Sequence, residues 1–211
     1  MPQLHDGIRL PDAVEIYSCI DDKIIQANLL VLDRNLAKNG IDARWWREVR
    51  DACLLQTRRG EFDWGKKWAD WMGQVKAIMG RTGFALCLQT PDSQIQGGII
   101  YQTGVISGLE PDMPMVYCHR LATATWNRQT LVSEPCFRGV GTGLLRMAVL
   151  HSRYLNCGGR IALEVDPGTP AREWYLDFGF VPVSEAEGKM SELELPSDVA
   201  LKIIEGVIEE S

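Results

Sequence analysis

The sequence predicts an α/β fold on a mixed, mostly antiparallel sheet, and three observations predict it. Strand-like segments at residues 83–89, 94–104 and 115–125 follow one another with turn signals between them, Pro91-Asp92-Ser93 in the first gap and the loop 109–114 in the second. Connections this short imply an antiparallel meander. After Arg138 the order changes to helix (143–156), strand (160–165) and helix (170–178), the layering of an α/β fold. Finally, 211 residues with 45% hydrophobic and 24% charged content suffice for one substantial core and do not demand two.

The remaining elements follow from periodicity. Residues 13–20 alternate Val14, Ile16, Ser18 and Ile20 against Glu15 and Tyr17, the period of a first strand. Asp21 and Asp22 then stand where an N-cap belongs, ahead of Ile25, Leu29, Leu32 and Leu36 at helical spacing, with Gly40 as the stop. Asp42 is the expected cap of a second helix carrying Trp46, Val49 and Cys53 on one face. A third helical stripe, Trp64, Trp68, Trp71, Met72, Val75 and Met79, ends at Gly80; its tryptophans read as core or as the wall of an acceptor pocket. Short strands at 180–183 and 190–195 precede a last amphipathic helix that Ser197 is placed to cap. The chain shows no internal repeat or low-complexity linker.

A net charge of −6 supplies no overall field for nucleic acid or an anionic membrane, so neither is an expected partner. No apolar run approaches the about 18 residues that cross a bilayer, and the start Met1-Pro2-Gln3-Leu4-His5-Asp6 lacks signal-peptide character; the expected location is the cytoplasm. Cys19, Cys53, Cys87, Cys118, Cys136 and Cys157 are scattered without metal-ligand spacing, so they read as buried free thiols and no metal is expected. Cys136, beside a glycine-rich turn, is a candidate nucleophile as well.

That turn, Arg138-Gly139-Val140-Gly141-Thr142-Gly143, runs straight into the apolar segment Leu144-Leu145-Arg146-Met147-Ala148-Val149-Leu150. Converging N–H groups at the positive end of a helix bind phosphate, and glycine lets the phosphate approach. Thr142 offers a hydroxyl and Arg138 a full charge. A Walker A loop is excluded because Gly143-Leu144-Leu145 lacks the Lys-Ser/Thr ending. The dinucleotide fingerprint starting at Gly141 has Arg146 in its third glycine position, although Glu164 stands where its acidic residue belongs, so an NAD-type oxidoreductase stays open.

What fits best is Arg138-x-x-Gly141-x-Gly143, then a strand at 161–165, then Trp174-Tyr175-Leu176-Asp177-Phe178-Gly179-Phe180. In this order and spacing, residues 115–183 resemble the GNAT family of acyl-CoA-dependent N-acyltransferases. The stretch Leu121-Ala122-Thr123-Ala124-Thr125-Trp126-Asn127-Arg128 ahead of a delayed glycine turn also resembles a bacterial subgroup of that family. The resemblance implies a GNAT-type sheet whose fourth and fifth strands splay apart, here 115–125 and 160–165, with helices on both faces. It implies a single domain over 1–211, with 12–114 shaping the acceptor side, 115–183 the CoA-binding core and 184–211 a final strand and helix.

The resemblance further implies acetyl-CoA or CoA as cofactor, its pyrophosphate on Arg138, Gly139, Val140, Gly141, Thr142 and Gly143. Its pantetheine arm would pair with backbone near Leu121, Ala122 and Thr123. Tyr175 is the implied donor to the departing thiolate, and the acceptor, a small-molecule or peptide amine, attacks the thioester directly. The family often has an Asn before this last helix, where this chain has Gly168 in Asp166-Pro167-Gly168-Thr169-Pro170; Thr169 or the backbone stands in for it. His119, Glu134 and Glu164 are base candidates. A CoA-binding sensor without catalysis is the second reading, and the sequence leaves monomer and homodimer open.

Overall fold

The computed structural model describes residues 4, 6–45, 67–74, 80–184 and 190–209. The chain forms two compact units, Met1–Ile100 with Arg120–Leu145, and Tyr101–His119 with Arg146–Ser211.

In the first unit, strands β1 (Ala13–Ser18), β2 (Lys23–Val31), β3 (Gly83–Gln89), β4 (Ile95–Ile106) and β6 (Phe137–Arg138) lie in the order β6-β1-β2-β3-β4. The helix expected from Asp22 to Gly40 is not formed over most of its length; residues 23–31 are β2, antiparallel to β1 with Ser18 opposite Lys23. Asp22 takes φ +52 and closes a tight turn instead of capping a helix. The apolar residues then alternate, with Ala27 and Leu29 buried and Ile24 64% exposed. Pairing with β1 and β3 has overridden a helical spacing that arose by coincidence.

A helix begins only at α1 (Arg34–Leu36), where Asp33 Oδ1 accepts from the Leu36 amide at 2.7 Å, and it continues as a π-helical turn, Ala37–Asp42. Gly40 lies inside that turn; a Cβ there would sit 2.4 Å from Ile95 Cδ1, so it serves close packing rather than termination. Asp42 does cap a helix, but a distant one. Its carboxylate accepts from the amides of Trp68 and Ala69 at 2.8 and 3.0 Å, at the start of α2 (Trp68–Gln74). Trp46, Val49, Cys53, Trp64, Val75 and Met79 lie outside the described residues. Of the expected stripe, Trp68 is buried and Trp71 and Met72 are half-buried against a core that includes Ile41, Trp45, Ile95 and Ile100.

Two adjacent glycines show how helices cover both sides of β4. A Cβ at Gly97 would meet Val140 and Leu144, whereas one at Gly98 would meet Trp68 and Ile41. Successive strand residues point to opposite faces, so the helix α3 (Val140–Tyr154) and the α1–α2 region lie on opposite sides. The meander turn at 91–93 forms as expected, with Ser93 at φ +65.

In the second unit, β5 (Pro114–Thr123), β7 (Ile161–Val165), β9 (Ser191–Leu195) and β8 (Val181–Ser184) lie in that order. β5 and β7 pair in parallel, while β7–β9 and β8–β9 are antiparallel. Helix α3 starts at Val140 rather than Gly143. Helix α4 (Pro170–Phe178) ends on Gly179 at φ +107, with the Phe180 amide donating to Tyr175 O, a left-handed cap.

Helix α5 (Ser197–Glu209) is anchored differently from the expected Ser cap. The Ser197 hydroxyl donates to Glu110, which also accepts the Ser197 amide and binds the Arg160 guanidinium. Glu110 thus ties the β4–β5 loop to the starts of β7 and α5, and the Arg160 hydrogen bond above all holds its carboxyl down at about 2.

Among the described cysteines, Cys87, Cys118 and Cys157 are buried free thiols, and burial pushes Cys87 up to about 12. Cys19 and Cys136 are only half-buried. None of the described helices is long and apolar enough to cross a membrane.

Candidate functional site

The glycine turn belongs to the first unit. β6 delivers it, with Arg138 opposite Tyr17 and Phe137 opposite Ser18 on β1. Gly139 takes φ +82, a left-handed conformation that reverses the chain from β6 into α3 without Cβ strain. The first bond of α3 runs from the Gly143 amide to Gly139 O at 2.8 Å. The amides of Val140, Gly141 and Thr142 therefore precede the first intrahelical acceptor, and no acidic residue stands in this first turn.

The residues of the turn divide the work. Val140 is 2% exposed and packs on Gly97, where an added Cβ would fall 2.6 Å from its Cγ1. Gly143 is buried, and a Cβ there would come within 2.6 Å of Val14 Cγ1, so its missing side chain serves helix-on-strand packing. Arg138 and Gly139 are exposed, and Gly141 and Thr142 half-buried. Chemically, the arrangement holds an anion: a rigid helix start with donors ahead of it and a guanidinium beside it. Glu134 is exposed nearby in sequence.

Gly97 also brings β5 into this arrangement, because its missing Cβ would lie 3.2 Å from Ala122 O. Sequence reasoning missed Gly97, although a Gly-Gly pair inside a strand is itself a signal of close approach. Leu121, Ala122 and Thr123 are half-buried. The Thr123 carbonyl accepts from Arg128 Nε at 3.0 Å, and the Ala124 amide donates to Gln96 O at 2.7 Å. Arg120, next on β5, lies over the indoles of Trp68 and Trp71 at 5.2 and 5.7 Å.

The second unit holds Tyr175, His119 and Thr169. The β5–β7 register runs from Val116↔Ile161 to Cys118↔Leu163, although β5 continues to Thr123 and β7 to Val165. Tyr175 meets the ladder where that register ends, since the Cys118 thiol lies close enough to act on its hydroxyl. Burial first, and Cys118 second, push the Tyr175 hydroxyl well above the ordinary phenol value. Its ring is fixed by Trp174 at 4.8 Å and Phe180 at 5.3 Å, both edge-on. The aromatic face read from the sequence thus buries Tyr175, leaves Trp174 and Phe178 half-buried and leaves Ala171 exposed.

His119 is the first β5 residue beyond the register. Its ring meets Tyr117 edge-on at 4.9 Å, its Nε2 is buried with no hydrogen-bond partner among the described residues, and burial lowers its pKa. Thr169 sits at the N-cap of α4, its hydroxyl donating to Asp166 O at 2.8 Å. Glu164 is exposed on β7.

No family model and no curated protein matches the chain. Solved structures do. RimJ of Mycobacterium smegmatis, in complex with CoA-disulfide, is similar at 14% identity and a TM-score of 0.53, over 92% of this chain and 94% of that one. The PaiA N-acetyltransferase of Thermoplasma acidophilum, in complex with coenzyme A, is similar at 13% identity and a TM-score of 0.50, over 81% and 99%. AtaTR bound with AcCoA is similar at 16% identity and a TM-score of 0.50, over 84% and 97%. The class of fold is therefore that of the GNAT acetyltransferases. The NAD-type reading loses its context, because the strand entering the glycine turn is antiparallel to its neighbour β1 and the fingerprint needs a parallel βαβ unit.

Proposed function

We propose that this chain is an acyl-CoA-dependent N-acyltransferase that moves an acetyl group from acetyl-CoA to a primary amine by direct attack. The observation that carries the reading is the turn Arg138–Thr142: a left-handed Gly139, three amides ahead of the first helical bond and no competing carboxylate. Arg138 and the amides of Val140, Gly141 and Thr142 bind the pyrophosphate. Backbone groups of Leu121, Ala122 and Thr123 orient the pantetheine arm.

Bound acetyl-CoA supplies a thioester carbonyl to the amine. Tyr175, kept protonated because burial raises its pKa, donates from its hydroxyl to the sulfur as it departs. The expected result is that CoA and acetyl-CoA, but not NAD, raise the melting temperature, and that acetyl-CoA releases free thiol with at least one amine of a broad panel. Tyr175→Phe should lower turnover by about 10²-fold while CoA affinity is kept.

A CoA-binding sensor is the second reading, favoured by one observation. Gly168 stands where the family often has Asn, and the Thr169 hydroxyl is already committed to Asp166 O. Tight CoA binding without thiol release across the panel would decide for it.

A further inference from the structure

The ladder of the second unit fixes which side chains share a face. Paired residues point the same way and neighbours along a strand point oppositely. Tyr117 pairs with Ala162, Ala162 with Glu194, and Glu164 with Glu192. Tyr117, Glu164 and Glu192 therefore lie on one face, and His119 joins them by alternation along β5. Valine and leucine side chains occupy the other face, with Val116, Leu163 and Leu193 all buried. Both carboxylates reach Tyr117 electrically, adding to the burial that pushes its hydroxyl up to about 12.

His119 differs from its neighbours in what it lacks. A buried ring nitrogen without a partner is costly, and folded chains rarely keep one without a use. With the proton on Nδ1, Nε2 presents a lone pair, and burial alone, with no charged neighbour contributing, keeps the ring neutral. It stands one residue past the last β5–β7 pair, on the strand whose next residues are Arg120 and Leu121.

We infer that His119 Nε2 is the general base that takes the proton from the attacking amine, with Glu164 and Glu192 on the same face favouring approach of a cationic acceptor. The inference rests on the acyltransfer reading. The amine nitrogen bonds to the thioester carbonyl carbon and gives one proton to Nε2. The C–S bond breaks with its electron pair on sulfur, which receives a proton through the Tyr175 hydroxyl. Nε2 loses its proton to solvent and the Tyr175 hydroxyl regains one, so the products are an amide and free thiol. Tyr117, Glu164 and Glu192 are the titratable groups of β5, β7 and β9 on this face.

The test uses the full chain, acetyl-CoA and the best amine of the panel. In His119→Gln, kcat/KM should fall by about 10²-fold, and the acid limb of its pH profile, set in the wild type by a group below the ordinary histidine value of 6.5, should vanish. CoA affinity and melting temperature should stay as in the wild type. Histidine ring 15N spectra of the wild type, which has three histidines, should show His119 with an unprotonated Nε2 that shifts when the amine is added. Wild-type kcat/KM and an unchanged acid limb in His119→Gln overturn the inference alone, as does a protonated Nε2. A wild type that binds CoA but acylates no amine overturns the transfer reading and the inference with it.

Discussion

Glu194 and His119 occupy the same face of the β5–β7–β9 ladder and are treated in opposite ways. The Glu194 carboxylate is fully buried and collects three donors, the Ser107 hydroxyl and the amides of Gly108 and Leu109. The His119 Nε2 is buried as an atom and collects none among the described residues. A buried polar group that organises a loop is fully satisfied, because an orphaned carboxylate costs too much. One that serves a transient ligand keeps its bonding capacity open. On this comparison, a missing hydrogen bond at His119 points to use and a complete set at Glu194 points to structure.

The largest expected effect separates the two. Glu194→Leu strands one hydroxyl and two amides under the β4–β5 loop, and should cost about 3 kcal/mol of unfolding free energy in urea titrations. His119→Leu removes an unpartnered nitrogen and should leave stability within about 0.5 kcal/mol of the wild type. The comparison breaks if the two variants lose stability equally. Its sign with pH is also fixed. A histidine whose folded pKa is lowered subtracts stability as pH falls below 6.5, so His119→Leu should gain on the wild type in acid.

Next in size is Gly143→Val, which drives side-chain atoms into Val14 and Leu88 and should destabilise by about 2 kcal/mol with CoA binding weakened in step. Gly139→Ala should cost less, about 1 kcal/mol, because only the left-handed backbone is strained; its nearest obstacle, Ile16 Cα, is 4.0 Å from the added Cβ. Thermal melts with and without CoA sharpen the contrast between a packing glycine and a conformational one.

The smallest effect is that of Glu110, a structural carboxylate like Glu194 but with its side chain 33% exposed. Its folded pKa of about 2 lies below the ordinary 4.5, so its stabilisation is present above 4.5 and is lost as pH falls toward 2. Solvent screening keeps the contribution to about 1 kcal/mol. The stability gap between wild type and Glu110→Gln should be open at pH 7 and closed near pH 2.

What was legible in the sequence was local. The glycine turn, β7, α4 and the Tyr175–Phe180 ending are each specified by residues adjacent in the chain, and their bounds were read closely. The hairpin β1–β2 was not, because Ile25, Leu29 and Leu32 fit a helix until Asp22 turns the chain and β1 supplies partners. Asp42 was recognised as a cap, yet it caps Trp68 from far along the chain, a choice made by tertiary packing. Glu194 in Ser-Glu-Leu-Glu-Leu reads as a solvent-facing strand residue, and nothing near it announces the loop that covers it. The same limit hid the orphaned nitrogen of His119, whose meaning depends on partners that are absent rather than residues that are present.

The seating of α3 has one more consequence. Val140 rests on Gly97 and Gly143 on Val14, so the amides of the glycine turn are held by two strands of the sheet rather than by a loop. An arriving pyrophosphate then meets donors already fixed in place, and little chain entropy is spent in ordering them. Recognition at this end is lock-like, and its association rate is set by diffusion and by the charge on Arg138 rather than by closure of the protein around its ligand.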